Sequence, residues 1–221
     1  TFHTAFDLKQ WMNIVTTKNI NEKWKVKIYI QKLLQYWTHL LNYKSFNNLN
    51  TDKIKKSKRG IVFSQYMKDK VGGGDIIYHG SEPIITFDPT IKAKARTKFS
   101  LSHTNRIILA LGFRTNTKGW DILDKMDIPI DWTVVMNSSK NHYNTENYIP
   151  KISTIHQNEI IDLHKGFLND SDLSLLFYAA DAVILPYKVS SGSGVMFDGL
   201  AHGLPFIAAD LEFFREFSSK G

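Results

Sequence analysis

An α/β fold built on a doubly wound parallel sheet is predicted from two features of the chain after residue 106. Short, continuously apolar runs recur there, namely RIILALG, DWTVVMN, DAVILPY and LPFIAAD. Between them lie segments with helical spacing and helix-end signals, such as DSDLSLLFYAA and SGVMFDGLAHG. Strands that are apolar on both faces and alternate with helices need a parallel sheet covered on both sides.

Taken in order, residues 22–43 set Trp24, Ile28, Leu33, Leu34, Trp37, Leu40 and Leu41 at roughly helical spacing. That spacing predicts a long amphipathic helix whose aromatic residues are core. The basic stretch from Lys53 to Arg59 reads as a solvated linker. GIVFS is then a short strand ending at Ser64, QYMKDKV a short helix, and IIYHG a second short strand closed by Gly80. Residues 81–104 are polar, carry Pro83 and Pro89, and read as an irregular crossing linker.

From Arg106 the pattern becomes regular. RIILALG is a buried strand, FRTNTKG a loop, WDILDKM a helix and DWTVVMN a strand. STIHQNEIIDLHKGF supplies a helix or loop and a short strand. DSDLSLLFYAA is a helix capped by Asp170 or Ser171, and DAVILPY is a strand whose start Asp181 caps or anchors. SGVMFDGLAHG is a helix ended by Gly203, and LPFIAAD is the last strand.

Composition narrows the function classes. The 221 residues are 43% hydrophobic and 22% charged, ordinary for a globular chain with material for a sizeable core. No apolar run approaches the roughly 18 residues that span a bilayer. The start, TFHTAFD, shows no charged-then-apolar leader, so no signal peptide is expected. Zero cysteines exclude disulfides and thiolate metal sites and fit a cytoplasmic location. The formal charge of +7 suits partners that are nucleic acid, an anionic membrane surface or a phosphorylated small molecule. No zinc-finger spacing, RNP-like motif or heptad accompanies the basic stretch, which argues against nucleic acid.

In an open parallel sheet, ligands sit outside the carboxyl ends of the strands. The loops at those ends are FRTNTKG, KVSSGSG and AADLEFFRE. The first offers Arg114 and Lys118 just after Gly112. The second offers backbone N–H groups of Ser193, Gly194 and Val195 at a helix start. Two cations with a helix dipole and unpaired amides suit a pyrophosphate.

These segments, in this order, resemble the family-4 retaining glycosyltransferases, whose GT-B fold has two facing Rossmann-like domains with parallel sheets. GFLNDSDLSLLFYAADAVILPY and SGSGVMFDGLAHGLPFIAADLEFFRE resemble the family's donor-site blocks. LALGFRTNTKG resembles its phosphate loop, with Gly112 and Lys118 in register. FSQYM followed by IIYHGSEPIITFDP resembles the segment leading out of the N-terminal domain. TFHT resembles the strand end that carries an active-site histidine, here His3. The resemblance implies a partial N-terminal, acceptor-side domain and linker over 1–95 and a donor-binding domain over 96–221. It also implies a chain that enters the first domain midway and stops before the last helices of the second.

What the resemblance implies chemically is transfer of a sugar from a nucleotide-diphosphate donor, with retention, without metal and with no cofactor beyond the donor. The acceptor is a glycan or a lipid-linked acceptor. Arg114, Lys118 and the helix start at Ser193–Val195 take the leaving diphosphate. Arg114 follows Phe113, which occupies the family's usual arginine position. Of two customary glutamates, one is Ser190 here and the other Asp198, which keeps an acceptor for ribose hydroxyls. Glu216 orders the donor-site loop, His3 helps hold the transferred sugar, and His79 has a structural role near the cleft. The missing first glutamate keeps open a GT-B relative with other chemistry, such as a nucleotide-sugar epimerase or an inactive homologue. A basic module for nucleic acid or anionic membrane is the third reading. A peripheral membrane contact through the linker is compatible with the first.

Overall fold

The computed structural model describes residues 34, 37, 51–53, 55–140 and 160–218. The helix predicted over 22–43 lies outside these residues except for Leu34 and Trp37. Both are helical, and both expose their side chains, at 63% and 55%. The described residues belong to two compact units. One is 1–78 with 188–192 and 210–221; the other is 79–187 with 193–209. This division differs from the boundary expected at 95/96, because the segment from 79 onward packs with the second unit.

In the first unit, β1 (Ile61–Val62) and β2 (Asp75–Ile76) pair in parallel, with Ile61 opposite Asp75. Between them runs α1 (Gln65–Val71), whose N-cap Ser64 is fully buried and accepts a hydrogen bond from the Met67 N–H at 3.0 Å. That bond satisfies one of the amides that a helix start leaves unpaired. The short helix Glu212–Ser218 (α6, by chain order) packs on α1 and joins Phe213 to Phe217 at 5.2 Å.

The second unit carries the main sheet. Its strands are β3 (Arg106–Phe113), β4 (Trp132–Ser139), β5 (Ile160–Asp162), β6 (Ala182–Leu185) and β7 (Phe206–Ala208). They lie in the order β5-β4-β3-β6-β7, and every pairing is parallel. From β3 the chain first builds outward through β4 and β5, then returns to the other side of β3 for β6 and β7. The predicted doubly wound, Rossmann-like α/β arrangement is therefore present, and its strand order reverses between β3 and β6. Ile107, Leu109, Val134, Val135, Val183 and Leu185 are essentially inaccessible, as strands covered on both faces require.

The helices α2 (Ile91–Lys98), α3 (Trp120–Leu123), α4 (Asp170–Ala179) and α5 (Gly194–Ala201) complete the unit. Three differ from expectation. Helix α2 lies inside the segment read as a linker. Lys92, Lys94, Arg96 and Lys98 hide the pattern, but Ile91 and Ala95, one turn apart, are buried, and α2 packs along α4. Helix α3 stops at Leu123, short of the expected Met126. Helix α4 is capped by Asn169 rather than Asp170 or Ser171. Asn169 has extended backbone, and its side chain accepts from the Asp172 N–H at 2.8 Å.

Asp181 anchors the start of β6, as expected. Its carboxylate accepts from the Ile107 N–H at 2.7 Å and from the Arg96 guanidinium at 2.7 Å. Arg96 is buried and also donates to the carbonyls of Ala179, Ser102 and Asn105. Among the described residues no helix is long and apolar enough to cross a membrane.

Candidate functional site

The site is built from the loops at the carboxyl ends of β3, β4 and β6 and from the start of α5. Strand β3 ends at Gly112 and Phe113, paired with Ser138 and Ser139 of β4. Arg114 follows. Its N–H donates to Ser139 O at 2.8 Å, and its Nε donates to the buried Ser138 hydroxyl at 3.1 Å. Arg114 is thus fixed at the end of β4.

A single 3-10 turn, Asn116–Lys118, closes the loop at Gly119, which has left-handed backbone at φ 68°. Trp120 Nε1 donates back to Phe113 O at 2.9 Å and ties the loop to the strand end. The aliphatic stem of Lys118 runs across Gly112, whose φ is 154°. A Cβ on Gly112 would sit 3.5 Å from Lys118 Cδ and Cε. The ammonium ends 3.8 Å from the centroid of the Tyr187 ring.

Helix α5 starts at Gly194 with Ser193 as N-cap, its hydroxyl accepting from the Met196 N–H at 3.2 Å. Of the three expected donors Ser193, Gly194 and Val195, Ser193 is thus the cap, and the first-turn amides of Gly194 and Val195 have no acceptor within the helix. Asp198 lies one turn further along, and its Oδ1 takes a short hydrogen bond from the Ser81 hydroxyl. His79 stacks on Phe197 at 5.7 Å, so residues 79–81 lie against α5.

A cavity of about 190 Å³ opens at these strand ends. Gly112, Phe113, Asn137 and Ser139 line it from the strand ends, Gly166–Leu168 from the loop after β5, and Val195 and Asp198 from α5. Asn137 is buried and holds that loop in place. Its Nδ2 donates to Gly166 O at 2.9 Å, and its Oδ1 accepts from the Lys165 N–H at 3.1 Å.

Of the residues singled out from sequence, Gly112, Val195 and Asp198 share this cavity, and Lys118 rests on Gly112. Glu216 belongs to the first unit. Its two carboxylate oxygens accept from the N–H groups of Gln65 and Tyr66, both at 2.9 Å, at the start of α1. Ser190 also belongs to that unit, and its hydroxyl donates to Gly192 O at 3.1 Å. His3 lies outside the described residues. Among the described residues there is no group of three or more His, Asp or Glu placed to hold a metal.

Sequence reasoning missed Ser81, Asn137 and Tyr187. Asn137 was legible as a polar residue closing an apolar run. Ser81 carries no local signal, and the meeting of Tyr187 with Lys118 needs the strand order.

No family model matches the chain, and no curated protein matches it. Solved structures do. Anabaena Alr3699/HepE in complex with UDP-glucose matches with a TM-score of 0.61 and 17% identity, over 77% of this chain and 50% of that one. Sucrose-phosphate synthase from Thermosynechococcus elongatus matches at 0.59 and 16%, over 76% and 44%. A glycosyltransferase from Rickettsia africae matches at 0.52 and 20%, over 76% and 48%. The chain spans about half the length of these proteins, and the likeness is one of fold.

Proposed function

We propose that the chain contains the donor-binding part of a glycosyltransferase acting on a nucleotide-diphosphate sugar. The observation that carries this reading is the convergence, at the carboxyl ends of the strands, of Gly112, Val195 and Asp198 on a cavity, with the Lys118 stem packed along Gly112. The carboxyl ends of the strands are where an open parallel sheet takes its ligands, and the same fold holds UDP-glucose in HepE. The finer reading is a family-4 enzyme that retains the anomeric configuration, uses no catalytic metal and transfers to a glycan or lipid-linked acceptor.

In this reading the diphosphate lies at the α5 start, against the Gly194 and Val195 amides, with Lys118 and Arg114 supplying positive charge. As the glycosidic bond breaks, negative charge grows on the leaving diphosphate. These fixed donors stabilise it more than they stabilise the bound donor. Asp198 accepts from the ribose hydroxyls, and His3, at the family's histidine position, helps hold the transferred sugar. The basic stretch around Lys55, Lys56 and Lys58 rests on anionic lipid near a lipid-linked acceptor.

Thermal unfolding with UDP-, GDP- and ADP-sugars tests the donor reading. One of them is expected to raise Tm by roughly 5–10 °C at about a hundred times its Kd. The Lys118→Ala variant is expected to lose most of that rise. No stabilisation by any nucleotide sugar overturns the reading. Proton NMR of the product anomer tests retention.

A second reading, a GT-B relative with other chemistry, is favoured by Ser190, a hydroxyl where the family carries a carboxylate. Donor binding without transfer to any acceptor would select it.

A further inference from the structure

We infer that Tyr187 is the positioning residue for Lys118, holding its ammonium in place to receive a diphosphate. The inference rests on the proposed function and names how that site recognises its anion.

Three independent contacts bring the two side chains together. Strands β3 and β6 are neighbours where the strand order reverses, so the residues just after them face one crevice. Gly119 then lies directly on Pro186. A Cβ there would be 1.7 Å from Pro186 O, which places residue 118 next to residue 187. The Lys118 stem lies along Gly112, with Cδ and Cε 3.5 Å from where a Cβ would stand. The ammonium ends on the ring face at 3.8 Å, well inside the range of a cation–π contact. Tyr187 is only 2% exposed, so the ring is a fixed platform rather than a mobile cover.

The choice of an aromatic platform has a chemical consequence. A carboxylate in this place would neutralise the lysine and compete with an incoming phosphate. A ring face attracts the cation yet leaves its N–H donors open to an anion. Among the described residues no carboxylate pairs with Lys118, and its ammonium rests on the Tyr187 ring instead. The long lysine side chain is also ordered before the ligand arrives, which removes part of the cost of binding.

The test measures affinity for UDP, GDP, ADP and inorganic pyrophosphate, with uridine as the phosphate-free comparison. Tyr187→Phe keeps the ring and is expected to bind within about twofold of the parent. Fluorinated phenylalanines at 187 keep the shape but weaken the ring face, and affinity for the diphosphates is expected to fall stepwise to about tenfold. In a Lys118→Ala background the same series is expected to be flat, and uridine affinity unchanged throughout. NMR of lysine side chains, without ligand, is expected to show Lys118 Hε protons shifted upfield by the ring.

A parent protein that binds none of the diphosphates overturns the function and this inference with it. Diphosphate binding that ignores fluorination, falls equally in the Lys118→Ala background, or goes with unshifted Hε protons overturns this inference alone.

Discussion

Gly119 and Pro186 touch backbone to backbone: the place where a Cβ would sit on Gly119 is 1.7 Å from the Pro186 carbonyl oxygen. The contact locks the loop after β3 onto the end of β6, and Gly119 also has φ 68°, which side chains disfavour. A carbonyl oxygen cannot rotate away, so the Gly119→Ala variant must move one strand end. Backbone strain and collision together are expected to cost about 3 kcal/mol, or roughly 6–12 °C in Tm. Gly192→Ala has nothing within 4 Å of the new methyl group and serves as the silent control. Thermal unfolding of both variants checks this, and equal Tm values would contradict it.

Gly199 of α5 makes a similar contact with β6 through a side chain. A methyl group there would meet Val183 Cγ2 at 2.8 Å, and Val183 is completely buried. The alanine gains roughly 1 kcal/mol of helix preference, while overpacking takes about 1–3 kcal/mol. Gly199→Ala is therefore expected to be net destabilising by about 1 kcal/mol. Shortening the opposing side chain should relieve it. The double variant Gly199→Ala, Val183→Ala is expected to be about 1 kcal/mol more stable than the two single losses add to. Urea unfolding of the four proteins gives the coupling directly, and simple additivity would show that the helix does not press on Val183.

Much of this architecture was legible because burial writes itself into unbroken apolar runs. RIILALG and DAVILPY are strands for the reason first given, and α5 starts at the expected turn, with Ser193 as its cap. Helix α2 was not legible, since its buried face is only Ile91 and Ala95 among basic residues, and Arg96 is buried by hydrogen bonds rather than by hydrophobicity. The site divides in the same way. Lys118, Gly112 and Asp198 stand beside local signals, a glycine-ended strand and a helix start. Ser81 and Tyr187 act by touching residues 117 and 69 positions away, respectively, and spacing carries no trace of such contacts. Glu216, read from its motif as part of the donor site, turns its carboxylate to two amides of α1.

That arrangement of Glu216 predicts a stability role. Its oxygens each accept from one N–H at the start of α1, a charge-assisted cap supplied from another helix. Glu216→Gln keeps one acceptor and is expected to cost about 1 kcal/mol, and Glu216→Ala about 2 kcal/mol. The drop in Tm is expected to be equal with and without a saturating nucleotide sugar. An added loss in the presence of ligand would instead assign Glu216 to the donor.

The Asp181 cluster predicts how stability responds to acid. Burial pushes the Asp181 carboxyl up, but the Lys92 hydrogen bond, the Ile107 N–H and the charges of Lys92 and Arg96 outweigh it and hold the group below its ordinary value. A carboxyl depressed in the folded state adds stability above its unfolded pKa of about 3.9 and loses it as pH falls through the folded value. The ion pairs should therefore be intact at pH 7 and fail only below about pH 4. Asp181→Asn removes the charge at every pH and leaves the buried Arg96 guanidinium without its counter-ion. It is expected to lower stability at pH 7 on the order of 3 kcal/mol and to flatten the fall between about pH 4 and pH 2. Asp210, which pairs with Arg215 in full solvent, gives the comparison, and Asp210→Asn is expected to leave Tm unchanged. Urea unfolding across this pH range decides the matter. Parallel pH curves for the parent and Asp181→Asn would show that the cluster does not carry the acid sensitivity.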